Sequence, residues 1–258
     1  MRFGRSTMAL VSLTVALTAC DSDDGAGPVP NVPGDQPLRV IEADGDLTAA
    51  LTEFRAVLGE PANGGGDGPQ NDGRREIRWD GVPPDQTNSD AFPADFFRNN
   101  GLITTTDGIG TRVSDNDFAD IDPGYAEQFE SFSKVKTFMA SGSTRMTLTF
   151  RVPGSDTPAV TSGVGIVFSD VDRDGAAHLT LFTGDGTDLG TYVAPVRTDS
   201  AGHSFVGVAY DRPIVARVEV TSGEAALGAR IDDLSAGGTH DLVVTDDFLF
   251  GEPQLTVE

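Results

Sequence analysis

From residue 74 onward the chain repeats one pattern, short runs of alternating apolar and polar residues closed by Gly, Asp or Pro. In the run 144–152, Met146, Leu148, Phe150 and Val152 point one way, and Thr147, Thr149 and Arg151 the other. A period of two marks a strand with one face buried and one face wet. The same reading places strands at 75–80, 102–106, 133–139, 163–169, 177–183, 189–194, 203–210, 214–221 and 241–250. Several short strands separated by Gly/Asp/Pro turns predict an all-β chain, an antiparallel β-sandwich of jelly-roll type. No second long helical pattern is present, which disfavours a parallel sheet built from crossover helices.

One helix is expected before the strands. Leu47, Ala50, Leu51, Phe54, Val57 and Leu58 fall on one face at helical spacing. Asp46 is placed to cap its start, and Gly59 to end it. This amphipathic stripe predicts an N-terminal helix packed on the sheet. Residues 60–73, EPANGGGDGPQNDG, form a long Gly/Asn/Asp loop with no Gly-Lys-Ser/Thr, so no phosphate cradle is read there.

The first residues have a different character. Arg2 and Arg5 precede an apolar run, Met8 to Leu17, too short to cross a bilayer core and suited to an export signal. It ends in Leu17-Thr18-Ala19-Cys20, which resembles the lipobox of bacterial lipoproteins. That likeness implies removal of residues 1–19 and lipidation of Cys20, the only cysteine in the chain. Two or more acyl chains give stable anchoring. Residues 20–37, rich in Pro, Gly and Asp, read as a disordered tether to one domain spanning 38–258. The expected location is the bacterial cell envelope, outside the cytoplasm, with the membrane as a partner through the lipid.

Residues 1–19 hold two of the 18 basic residues and none of the 40 acidic ones. The remainder is therefore strongly acidic. Nucleic acid is a poor partner for it, because phosphate binding needs clustered Lys and Arg. Divalent cations fit better, since they favour grouped carboxylates.

Between 163 and 251 the chain runs GVGIVFSDVD, then DGTDLGTY, then HSFVGVAYDRPIVARVEV, and closes with TDDFLFGEP. This order resembles the C-terminal half of secreted bacterial jelly-roll domains, similar in layout to carbohydrate-binding modules and galactose-binding-like sandwiches. GRREIRWDGVP, 73–83, resembles a segment of uncharacterised secreted proteins with the same tail. The likeness implies a fold and makes glycan the leading ligand class. It also implies that Asp246 or Asp247, near the last strand, helps hold a structural Ca2+ with oxygens such as those of Glu42 or Asp44.

The sharpest local signal is Asp170-Val-Asp172-Arg-Asp174-Gly175. Alternate carboxylates before a glycine turn can converge on Ca2+, as in the first half of an EF-hand loop. The twelfth position would be Leu181, so the full loop is absent, and a polar turn explains the same residues. By strand alternation Leu242, Val244, Asp246, Phe248 and Phe250 share a face, where a carboxylate must be paired, hydrogen-bonded or metal-bound. Trp79, the only tryptophan, is a sugar-stacking residue if exposed and a core residue if it follows Ile77 inward. His178, His203 and His240 lack ligand spacing, and no Gly-x-Ser-x-Gly elbow occurs. The expectation is a non-enzymatic binding or surface-structural module, with Ca2+ as its one cofactor. A glycan-active hydrolase on the same scaffold is the alternative.

Overall fold

The computed structural model describes residues 36–199 and 202–256. The expected signal at 1–19, Cys20 and nearly all of the tether 20–37 lie outside them. The described chain opens with β1 (Arg39–Asp44), α1 (Thr48–Leu58), β2 (Ala62–Asn63) and β3 (Arg74–Ile77). It continues with β4 (Leu102–Thr106), β5 (Gly110–Ser114), α2 (Tyr125–Gln128), β6 (Thr137–Ser141) and β7 (Arg145–Phe150). The last part holds β8 (Gly163–Ser169), β9 (Ala177–Phe182), β10 (Asp188–Val193), β11 (His203–Ala209), β12 (Arg217–Ser222) and β13 (Val244–Gly251).

These strands form two sheets, antiparallel except for the short parallel β2–β3 pair. One sheet has eight strands in the order β1-β11-β8-β13-β3-β2, with β6 joining β13 and β5. The other has five, β10-β9-β12-β7-β4. Alternation supplies the core between them: Met146, Leu148, Phe150, Leu179, Leu181, Val218 and Val220 from one sheet meet Ile166, Phe168, Val206, Val208, Phe248 and Phe250 from the other. The molecule is a β-sandwich. Among the described residues no helix is long and apolar enough to cross a membrane.

The helix lies on the outer face of the larger sheet. Leu47, Leu51, Phe54 and Leu58 pack on Ile41, Val167, Phe205 and Leu249, and Asp46 Oδ1 accepts the Thr48 N–H at 3.0 Å, as a cap should. Phe54 is seated on a gap in the sheet. Gly165 and Gly207 face each other across β8 and β11. A Cβ on Gly165 would stand 2.6 Å from the Phe54 ring, and one on Gly207 2.8 Å.

Several expected strands move. The 75–80 run ends at Ile77, and Trp79–Gly81 turns as a 3-10 helix. The 133–139 run becomes β6 at Thr137–Ser141, and β1, β2 and β5 are additions. β13 carries a bulge. Thr245 pairs with Phe168 and Phe248 with Ile166, which leaves Asp246 and Asp247 together opposite Val167 alone. The phase of alternation slips by one residue there. Val244 lies in an outer cluster with Phe118 and Leu242, while Phe248 lies in the central core. Asp246 therefore does not share the inward face of Phe248, contrary to simple alternation.

Antiparallel neighbours sort the connections to two ends. Loops 170–176 and 223–243 and the segment 194–199 gather at one end, and 183–187, 210–216 and 252–256 at the other.

Candidate metal centre and neighbouring groups

At the first end β8 runs out at Ser169, and Asp170 adopts a left-handed backbone with φ 69° that turns the chain. The turn aims Asp170 and Asp172 toward the loop between β12 and β13. Asp233 in that loop accepts the N–H groups of Ser235 and of Leu242, the latter at 2.7 Å. Gly238 lets the loop close tightly, for a Cβ there would meet the Asp232 carbonyl at 1.8 Å. Among the described residues Asp170, Asp172 and Asp233 bring one oxygen each to within 4.8 Å of one another. Asp170 and Asp233 are buried, and Asp172 is partly so. Gln128 of α2 donates its amide to Asp170 Oδ2.

A fourth carboxylate ties the two loops. Asp241 Oδ2 accepts the N–H groups of Asp172 at 2.9 Å and Arg173 at 2.7 Å. Asp241 is fully buried, and its Oδ1 has no hydrogen-bond partner among the described residues; Asp172 Oδ1 is in the same position. Burial, then the charges of Asp233 and Asp172, push the Asp241 carboxyl up to about 7. Burial and Asp233 push Asp172 in the same direction. Among the described residues no Lys or Arg forms an ion pair with Asp172, Asp233 or Asp241. The nearby Arg173 reaches Glu224, and Arg197 reaches Asp199 and Asp44. Grouped, desolvated carboxylates without a cationic partner are what a hard cation with oxygen ligands requires.

Other expected positions fall elsewhere. Asp174 is exposed and outside the triad, because the glycine turn carries it to solvent. Asp246 and Asp247 are likewise outside it, turned out by the bulge onto Ser133: Oγ of Ser133 lies 3.3 Å from Asp246 Oδ1 and 2.6 Å from Asp247 Oδ1. Asp44 pairs with Arg197 and Glu42 is exposed. Trp79 is fully buried, stacked on Phe138 at 3.8 Å with its Nε1 donating to the Asp246 carbonyl at 2.7 Å. It has no face for a sugar; its reading as core stands. Asp233 and Asp241 are the residues that sequence reasoning missed, and the signal for them, acids in a Gly-rich loop late in the chain, is shared by many loops here.

A cleft of about 920 Å³ opens at the opposite end. Pro69, Asn71, Thr183, Thr187, Ile214 and Leu255 are among its walls. The glycine-rich loop that supplies one wall is pinned by Arg75, whose guanidinium binds Glu252 twice and donates to the carbonyls of Gly64, Gly68 and Asn99.

Comparison of the chain with protein-family models, with curated proteins and with solved structures gives no match.

Proposed function

We propose that this chain is a lipid-anchored, extracytoplasmic binding or surface-structural module whose loops are held by Ca2+. One observation carries the cation: three carboxylates from two loops converge, and no Lys or Arg among the described residues pairs with Asp172 or Asp233. The donor set is oxygen only, with neither His nor Cys in the group, which favours Ca2+ over zinc. Asp241, with one buried free oxygen, adds a fourth candidate ligand. The anchor rests on the leader and Cys20, and the jelly-roll type on the resemblance of residues 163–251.

The test is thermal unfolding of the chain in EDTA and after Ca2+ is restored. A ligand bound only by the native state raises its stability. A melting temperature that ignores both additions would remove the cation. For the ligand, the cleft at the far end replaces Trp79 as the surface on which glycan retention is to be tested. Retention on an insoluble polysaccharide that is lost in Thr187→Ala and Asn71→Ala would support a glycan ligand; equal passage of native and variant chains would end that reading.

A further inference from the structure

We propose that Asp80, Ser133, Asp246 and Asp247 form a proton-held latch that fastens the segment Phe129–Lys136 over the outer face of the eight-stranded sheet and opens as pH rises.

The bulge in β13 brings two consecutive carboxylates onto one serine. Ser133 Oγ lies 2.6 Å from Asp247 Oδ1, 3.3 Å from Asp246 Oδ1 and 3.4 Å from Asp80 Oδ2. A serine hydroxyl owns a single proton and can satisfy one of those three acceptors. The shortest contact assigns it to Asp247. The other two contacts set acceptor against acceptor unless a carboxyl carries a proton and donates. Asp246 is the group that does so. It is fully buried and forms no ion pair among the described residues, and the Arg78 guanidinium stands instead 3.8 Å from Asp247 Oδ2. Desolvation first, and the Asp247 charge second, raise the Asp246 carboxyl well above the ordinary carboxylate range. A metal fits poorly in place of the proton, because these oxygens do not form a compact group as those of Asp170, Asp172 and Asp233 do.

The latch holds chain as well as charge. Asp246 Oδ2 accepts the Phe132 N–H at 2.7 Å, and Asp80 Oδ1 the Val135 N–H at 3.2 Å. Phe132 packs on the cluster beneath α1, and Glu130 N–H donates to Ser169 Oγ at 3.2 Å. The surrounding charges are already engaged. Arg55, Arg74 and Arg78 bind Glu76, and Lys136 Nζ donates to the carbonyls of Asp80 and Val82. His203 Nε2 meets the Glu130 carbonyl, while the Glu130 and Lys134 side chains face solvent. None of these is placed to neutralise an ionised Asp246. Its deprotonation therefore sets three carboxylates around one hydroxyl, and the segment is released.

Trp79 supplies the probe, since it is the only tryptophan and its indole N–H rests on the Asp246 carbonyl. Emission of the full chain in EDTA is titrated over about pH 5 to 9, the span reached by buried carboxyl groups. The expected result is a transition with its midpoint above the ordinary Asp value of about 3.9. Trypsin cleavage after the exposed Lys134 should accelerate severalfold over the same span, relative to a small peptide substrate. Asp246→Asn keeps a donor in place of the protonated acid and should abolish both changes. Asp247→Asn removes the neighbouring charge and should lower the midpoint. Flat emission in the native chain overturns the latch, and so does a transition that persists in Asp246→Asn. If Asp246→Asn does not fold, an unchanged midpoint in Asp247→Asn overturns it alone.

Discussion

Arg75 and Glu252, far apart in the chain, form a two-fold ion pair in which Nε and one terminal nitrogen each lie 2.7 Å from a carboxylate oxygen. The Arg75 side chain is fully enclosed, and that of Glu252 is 2% exposed. The remaining guanidinium donors hold carbonyls of the 60–73 loop, and Asn63 and the Gln70 N–H complete the carboxylate. One side chain thus organises a segment that has no apolar pattern of its own.

Breaking this pair leaves a charge buried without a partner, which costs about 3–5 kcal/mol. Arg75→Met should therefore lower the urea midpoint strongly. The double change Arg75→Met/Glu252→Met should recover part of the loss, since no lone charge remains. A single variant within about 1 kcal/mol of the native chain, the range of a surface ion pair, would contradict the burial described.

The cation site makes a residue-level prediction. Asp233→Asn and Asp172→Asn should each reduce or abolish the Ca2+-dependent rise in melting temperature, while Asp174→Asn should keep it. At a hundredfold excess over Kd the native rise corresponds to about 2.7 kcal/mol. Differential scanning calorimetry with and without Ca2+ reads it. Equal behaviour of Asp233→Asn and Asp174→Asn would count against the triad.

The seat of the helix is testable from both sides. Phe54→Ala removes a fully buried ring and should cost about 3–5 kcal/mol. Gly207→Ala places a methyl against that ring and should cost about 1–3 kcal/mol. In the Phe54→Ala background the glycine change should cost less, because of the two rings a Cβ would meet at 2.8 Å only that of Phe205 remains, and the vacated space lets it give way. Additive losses in a double-mutant cycle would show that ring and glycine do not meet.

Glu76 predicts the acid limb of the stability curve. Burial alone would raise its carboxyl, but Arg55, Arg74 and Arg78 outweigh that and hold it down at about 2. Its ordinary value is about 4.3. The folded state thus favours the ionised form, so the contribution is complete above the ordinary value and fades as pH falls toward 2. Native chain and Glu76→Gln should differ most near neutrality and converge in acid. A constant difference across that range would exclude the arginine cluster as the cause.

Much of the architecture was legible because burial imposes a period. The alternating run 144–152 gave β7 with Met146, Leu148 and Phe150 buried, and the stripe from Leu47 to Leu58 gave a helix on the sheet; 163–169, buried on both faces, became β8 with the same bounds as an apolar run. Where the period breaks, reading from sequence breaks with it. The bulge at Asp246 and Asp247 shifts the phase of β13 without any local mark, so Asp246, which alternation assigns inward, faces Ser133 beside Asp247. β1 is an edge strand with only Ile41 buried, too little alternation to announce itself. At the cation site Asp170 and Asp172 could be read from their spacing. Asp233 and Asp241 could not, for they reach the site only through the closure of a loop some sixty residues later.

Strand direction has one more consequence. Arg39, where the sandwich begins, pairs with Ala209, and Gly251, where its last strand finishes, pairs with Arg74. Entry and exit of the folded chain thus share the cleft end, and the carboxylate loops crown the other. Attachment of the sandwich through either extremity, on a bead or a sensor chip, leaves those loops projecting outward and open to exchange with the surrounding medium.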